Sequence, residues 1–226
     1  SILTSGYIEF NSLPLDYGPI FSTFGFNYVE GLRLRTGGRT YFGRNDLWRL
    51  EGFLAYGFRD DKFKYGISGK WLLDKKSRLI ISGGNRRDVE QIGASLTTST
   101  DVLGRSFASS SLVGTGTNDK LTSINLTSAA IEIEPWRNLI MRLSANYRTL
   151  ESASDTFSLD YIDSASSTGI SSEIQQFETS FSLSYFPMRK MTGFGVERYD
   201  ANDDYARIFA QISIGDKGVF DGDFNY

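Results

Sequence analysis

The chain of 226 residues contains no cysteine and no histidine. Disulfides, thiolate metal sites and cysteine nucleophiles are therefore excluded, and with histidine go the usual general base near neutral pH and the commonest metal ligand. The familiar catalytic triads cannot be built. Only 4 prolines punctuate the sequence, and no uninterrupted apolar run approaches the ~20 residues of a membrane-spanning helix. A broad positive field is missing too: 24 Lys and Arg stand against 27 Asp and Glu, a net charge of −3. Duplex nucleic acid needs the opposite balance, so it is excluded as a partner. The opening, SILTSGYIEF, has neither the basic nor the apolar region of a signal peptide. The chain is expected to be mature or a piece of something longer.

What remains is a β-forming composition. Aromatics make up 14% and apolar residues 40%, with 23 glycines and abundant Ser and Thr. The length suits one large β domain or two small ones, and a single domain over residues 1–226 is the reading adopted.

Alternation with a period of two dominates, as strands with unlike faces require. In FKYGISGKWLL (63–73), Phe63, Tyr65, Ile67, Trp71 and Leu73 share one side, and Lys64, Gly66, Ser68 and Lys70 the other. In 48–58, Trp48, Leu50, Leu54, Tyr56 and Phe58 alternate with Arg49, Glu51, Phe53, Ala55 and Gly57. Further on, Leu139, Met141, Leu143, Ala145 and Tyr147 oppose Arg142, Ser144, Asn146 and Arg148, while Phe177, Phe181, Leu183 and Tyr185 oppose Glu178, Ser180, Ser182 and Ser184. Leu32 and Leu34 face away from Arg33, Arg35 and Arg39, and Ile208, Ala210, Ile212 and Ile214 alternate with Arg207, Gln211 and Ser213. The count is roughly ten to thirteen strands, with no amphipathic helix between them.

The alternation persists for about 10 to 12 residues, against about 5 or 6 in ordinary sandwich strands. Eleven residues tilted near ~40° rise ~28 Å, close to the ~25 Å apolar band of an outer-membrane barrel. Connections sort in the same direction. GRND (43–46), DKKS (74–77), PWRN (135–138) and FPMRK (186–190) are short and form every second connection; RDDK (59–62), 94–119, 150–173 and DANDD (200–204) make the other set, two of them long. Outer-membrane barrels have short turns on one side and long loops on the other.

An all-β antiparallel meander forming a transmembrane barrel, or a large part of one, is therefore expected. In it Arg33, Arg35, Arg39, Arg49, Glu51, Lys64, Lys70, Glu132, Glu134, Arg142, Arg148 and Glu178 face the lumen, as an ion-pair network or the lining of a hydrated passage. The apolar phases face lipid, with Trp48, Trp71 and Trp136 near strand ends as interfacial anchors. A solvated face of an ordinary antiparallel sheet alternates identically. A soluble β-sandwich binding module stays open as the competing reading.

Candidate sites are few. Asp200, Asn202 and Asp204 have calcium-loop spacing, but Tyr205 stands where Gly is needed and Gln211 where Glu is needed, so a turn is expected. GTGTND (114–119) misses both phosphate-loop patterns, and the Asn125 triplet falls inside a strand. Glu132 and Glu134 share one face without the cleft a glycosidase needs. No enzyme activity and no cofactor are expected. Two roles remain: an anchoring or envelope-complex subunit with a filled lumen, or a pore whose basic lining favours anionic solutes. Membrane lipid, and other envelope proteins, are the partners either would meet.

The runs FNYVEGLRLRTGGRT (26–40), LEGFLAYGFRDDKFKYGISGKWLL (50–73) and GVERYDANDDYARIF (195–209) resemble a Bacteroidetes outer-membrane family. In it a carboxypeptidase-regulatory-like sandwich precedes a segment ending in a transmembrane β-barrel. The resemblance covers most of the chain and implies a barrel in the bacterial outer membrane, with no defined molecular activity. Compared with that family, the chain reads as a barrel fragment, with Phe220, Phe224 and Tyr226 opening a further strand.

Overall fold

A computed structural model of the chain describes residues 7–9, 14–43, 45–91, 120–154, 157–162, 169–215 and 223. The loop expected at 94–119, including GTGTND, and the further strand expected at Phe220, Phe224 and Tyr226 lie outside the described residues.

The strands are β1 (Ile8–Glu9), β2 (Leu15–Tyr17), β3 (Phe24–Asn27), β4 (Gly31–Thr40), β5 (Trp48–Gly57), β6 (Lys62–Asp74), β7 (Leu79–Gln91), β8 (Leu121–Trp136), β9 (Leu139–Ser152), β10 (Tyr161–Ile162), β11 (Ile170–Ser171), β12 (Glu173–Tyr185), β13 (Met191–Thr192), β14 (Tyr199–Asp200) and β15 (Ile208–Gly215). Eleven of them form one sheet in the order β1-β2-β4-β5-β6-β7-β8-β9-β12-β15, with β3 also on β4. Every pairing is antiparallel. The chain is thus the all-β antiparallel meander that its alternation calls for, and its described strands form an open sheet of a kind compatible with part of a barrel. Of the described strands, β1 and β15 stand at the two ends of this order.

Local chemistry explains the tight connections. At 75–78 the Asp74 carboxylate accepts hydrogen bonds from the Lys76 and Ser77 backbone N–H groups at 3.2 and 2.8 Å, the local capping that favours Asp at turns. At 58–61 Asp61 takes φ 52°, and at 137–138 Asn138 takes φ 64°, conformations that Asn and Asp tolerate better than bulky residues.

One stretch departs from expectation. FPMRK and DANDD are not two turns at opposite ends with a full strand between them. β12 pairs directly with β15, Tyr185 opposite Ile208, so residues 186–207 form one connection at the end holding the turns 41–47, 75–78 and 137–138. A polar, glycine-broken stretch holds only the two-residue pair β13 and β14, because GFGVER lacks the alternation of a long strand.

The sheet curls. Arg33 on β4 reaches Asp88 on β7 at 2.7 Å, although three strand spacings amount to roughly 14 Å on a flat sheet. The charged phase therefore lies on the concave side.

Candidate functional site

Burial is inverted relative to a water-soluble domain. Among the described residues the buried polar and charged side chains outnumber the buried apolar ones, seventeen against twelve, whereas charged residues are ordinarily almost never fully buried unless paired. Phe63 is 64% exposed, and the others of its phase, Tyr65, Ile67, Trp71 and Leu73, are exposed with it. Lys64, between Phe63 and Tyr65, is 3% exposed.

The residues expected to face inward occupy the concave side. Arg33, Arg35, Arg49, Lys64, Arg148 and Glu178 are buried there. Arg33 Nη1 donates to Glu30 at 3.1–3.2 Å and to Asp88 at 2.7 Å. Lys64 Nζ lies 2.8 Å from Glu30 and also bonds Asp60, while the Arg35 guanidinium sits 3.8 Å above the Phe53 ring. Two cations, Arg33 and Lys64, thus meet three carboxylates, the pairing that burial of charge demands, and Arg35 rests on an aromatic face beside them. Glycine makes the room: a Cβ on Gly57 would fall within 3 Å of Asp60, Lys64 and Glu30. Asn27 closes the cluster, its amide donating to Glu30 at 2.6 Å while its carbonyl accepts from the Val29 and Glu30 backbone N–H groups.

Further pairs line the same side. Arg86 bonds Glu90 at 2.7 Å, Arg148 bonds Glu178 at 2.8 Å, Arg39 bonds Asp16 at 3.0 Å and Arg142 lies 3.5 Å from Glu132. Glu51 stands opposite Arg39 in the ladder. Lys70 keeps the predicted phase but is half exposed, bonding Glu197 at 3.2 Å, and Arg49 lies 3.8 Å from the same carboxylate. Glu134 pairs with Arg198 and accepts from the Asn138 N–H. Sequence reasoning missed Glu30, Asp88, Arg86 and Glu90. The signal present was RRDVE in β7, where charge on both phases masked the alternation.

The residues 186–207 strap the end of the concave side. Arg78 donates to the Gly195 and Val196 carbonyls, Val196 N–H donates to Asp46, and Phe194 N–H donates to Asn45. Val196 is buried against Leu72 and Ile80. Burial alone would raise the Glu197 carboxyl, but Lys70 and Arg49 outweigh it and hold it below the ordinary value. Asp200, Asn202 and Asp204 belong to this strap. The bonds from Arg189 hold the Asp200 carboxyl low, Tyr205 donates to it at 3.0 Å, and the Asn202 carbonyl accepts from the Lys190 N–H at 2.7 Å. These oxygens serve the turn, and no group of three metal-ligating side chains occurs among the described residues.

On the convex side one ladder row runs Trp48, Trp71, Ile81, Ile131, Leu143, Phe181 and Ile212. All seven side chains are exposed. Leu50, Leu54, Phe58 and Tyr185 are exposed on the same side, while Tyr56, Leu139, Met141, Tyr147, Phe177 and Leu183 are half-buried there.

The apolar band climbs obliquely. On β9 it runs from Leu139 to Tyr147, centred on Leu143, which shares a ladder row with Trp48. On β5 it runs from Trp48 to Phe58, so its centre lies five residues further along. Four strand steps span about 19 Å and five residues about 17 Å, so a level band meets the strands at about 40° from its normal. The climb continues onto β4, where Leu32 and Leu34 are exposed but Thr36, Gly38 and Thr40 follow in the same phase. Closed barrels tilt their strands by about 35–45°.

A curled antiparallel meander with an ion-paired concave side and an apolar convex band defines the class. Within it, the family model described as "Family of unknown function (DUF5686) C-terminal domain" matches residues 2–226, and the chain belongs to that family. Comparison with curated proteins and with solved structures returns no match.

Proposed function

We propose that the chain is a membrane-embedded β-barrel of the bacterial outer membrane, with a structural, anchoring role or a place as a subunit of a larger envelope assembly. The observation that carries this reading is the inverted burial, charges concave and aromatics convex. An exposed band of this extent is far larger than the few-hundred-Å² patches of soluble monomers, and its tilt matches a barrel. Resemblance to the Bacteroidetes barrel family supports the location.

Charge compensation favours the anchoring role over transport. Arg33, Arg35 and Lys64 are offset by Glu30, Asp60 and Asp88, and further ion pairs line the neighbouring strands, so little uncompensated positive field is left over β4 to β7. No reacting group is required of such a protein, which makes it non-enzymatic in this reading. A pore favouring anionic solutes has one supporting observation. Ser144, Ser180, Ser182 and Ser184 line a cavity of about 570 Å³ on the concave side with Arg142 and Arg207.

The test is refolding of the purified chain with and without detergent micelles. A heat-modifiable, protease-resistant β species forming only with micelles is expected. A monodisperse folded monomer in plain buffer would refute the membrane reading and leave a soluble β module.

A further inference from the structure

We propose that the turn end of the sheet carries a binding site for the phosphate group of an anionic membrane lipid, in a pocket built by the turns at 75–78 and 135–138 and by the 186–207 strap. The proposal rests on the membrane reading above and adds a ligand to it.

The pocket holds about 680 Å³ and is lined by Lys75, Lys76, Arg78, Arg137 and Arg198, with Glu134 as its one carboxylate. Glu134 is committed to Arg198, which leaves four cations. Nearby acids are engaged as well: Asp74 caps its own turn, Glu132 lies 3.5 Å from Arg142, and Glu197 holds Lys70. Arg78 spends two nitrogens on the Gly195 and Val196 carbonyls, and its buried Nε has no hydrogen-bond partner in the structure. Lys75, Lys76 and Arg137 are exposed and form no ion pair among the described residues. Burial lowers the Arg78 guanidinium below its ordinary value and Arg198 adds to the effect, while Glu134, Glu132 and Glu197 only partly offset it.

Continuity with the apolar band selects a lipid over a free anion. Trp136 is 72% exposed beside Arg137, and Phe194 forms part of the pocket wall at 76% exposure. Leu73 is exposed just before the Asp74 turn. A phosphate in the pocket would leave its acyl chains on Leu73, Trp71 and Trp136. An aromatic at the rim with Lys and Arg just beyond it is the arrangement that holds a chain at a membrane interface, where each cation near an anionic surface contributes about 1 kcal/mol. That converts to about fivefold in affinity per charge.

The test titrates the whole chain, folded in zwitterionic micelles, with dihexanoyl phosphatidylglycerol, dihexanoyl phosphatidylcholine and inorganic phosphate. Indole NMR shifts of Trp136 report binding. Saturable binding of the glycerol lipid is expected, with the choline lipid and free phosphate each at least tenfold weaker. The Lys75→Gln, Lys76→Gln, Arg137→Gln triple variant should lose on the order of a hundredfold, and because its three side chains are exposed turn residues it should keep the wild-type thermal transition. Equal binding by the triple variant overturns the site, and equal binding of inorganic phosphate overturns the lipid assignment. A chain that stays a folded monomer without micelles refutes the membrane reading separately. Should that soluble form still bind the probe, the anion pocket would stand and the lipid would not.

Discussion

Replacing Leu54 by Arg measures which solvent the convex side meets. Leu54 lies next to the centre of the β5 run, 48% exposed, with Thr36 and Tyr65 as its ladder neighbours. If that side met water, a substitution at so open a position would change stability by no more than about 0.5 kcal/mol. At a bilayer midplane the same change costs about 2–4 kcal/mol, and near the interface only about 0–1. Leu73 is equally open, 51% exposed, but sits at the end of the band. Leu73→Arg is therefore the matched control. The expected outcome is a loss for Leu54→Arg of roughly thirtyfold to nearly a thousandfold in the folding constant, and less than about fivefold for Leu73→Arg. Equilibrium urea unfolding in fluid phosphatidylcholine vesicles, followed by tryptophan emission, reads both. Losses that agree within about 0.5 kcal/mol at the two positions would refute the oblique band.

Arg33→Met should cost about 3–5 kcal/mol, since it leaves Asp88 buried without its ion-pair partner while Glu30 keeps Lys64; adding Asp88→Asn should restore at least half of it in the same unfolding assay. Gly84→Ala places a Cβ 2.4 Å from the Ile67 carbonyl oxygen, and because backbone cannot swing aside, β6 and β7 must part at a cost of about 1–3 kcal/mol, visible as a lowered midpoint. Acid should release the strap: Glu197 and Asp200 have folded pKa values below their ordinary ones, so their stabilisation is present above the ordinary carboxylate pKa and lost as pH falls through the folded values. That places the window below about pH 4. Hydrogen exchange of the 186–207 amides, corrected for intrinsic rates, should accelerate there, and Glu197→Gln with Asp200→Asn should abolish the pH dependence.

Legibility varied with locality. In β5, β6 and β9 each phase could be assigned from a dozen residues, because side-chain direction in a strand depends only on parity along the chain. Lys64 and Phe63 ended on opposite sides as their parity requires. In β7 the phases read Arg86, Asp88, Glu90 against Asn85, Arg87, Val89, and with charge on both sides no periodicity could say which set was buried. The strap escaped for another reason. DANDD looks like a hairpin turn at any position, and only its neighbours decide which end it occupies. Its Asp200 became the partner of Arg189 and Tyr205 within the strap.

The class of structure, the two unlike faces of β5, β6 and β9 and the tight turns at 58–61, 75–78 and 137–138 were determined by the sequence alone. They follow from backbone sterics, turn chemistry and a period of two, all of which act over a few residues. Tertiary structure decided which charges meet. Arg33 and Asp88 lie 55 residues apart and three strands apart, and only the curl of the sheet brings them to hydrogen-bond distance. It also decided the slope of the apolar band, because register between strands, set by many weak ladder contacts together, converts ten-residue alternations into one continuous surface.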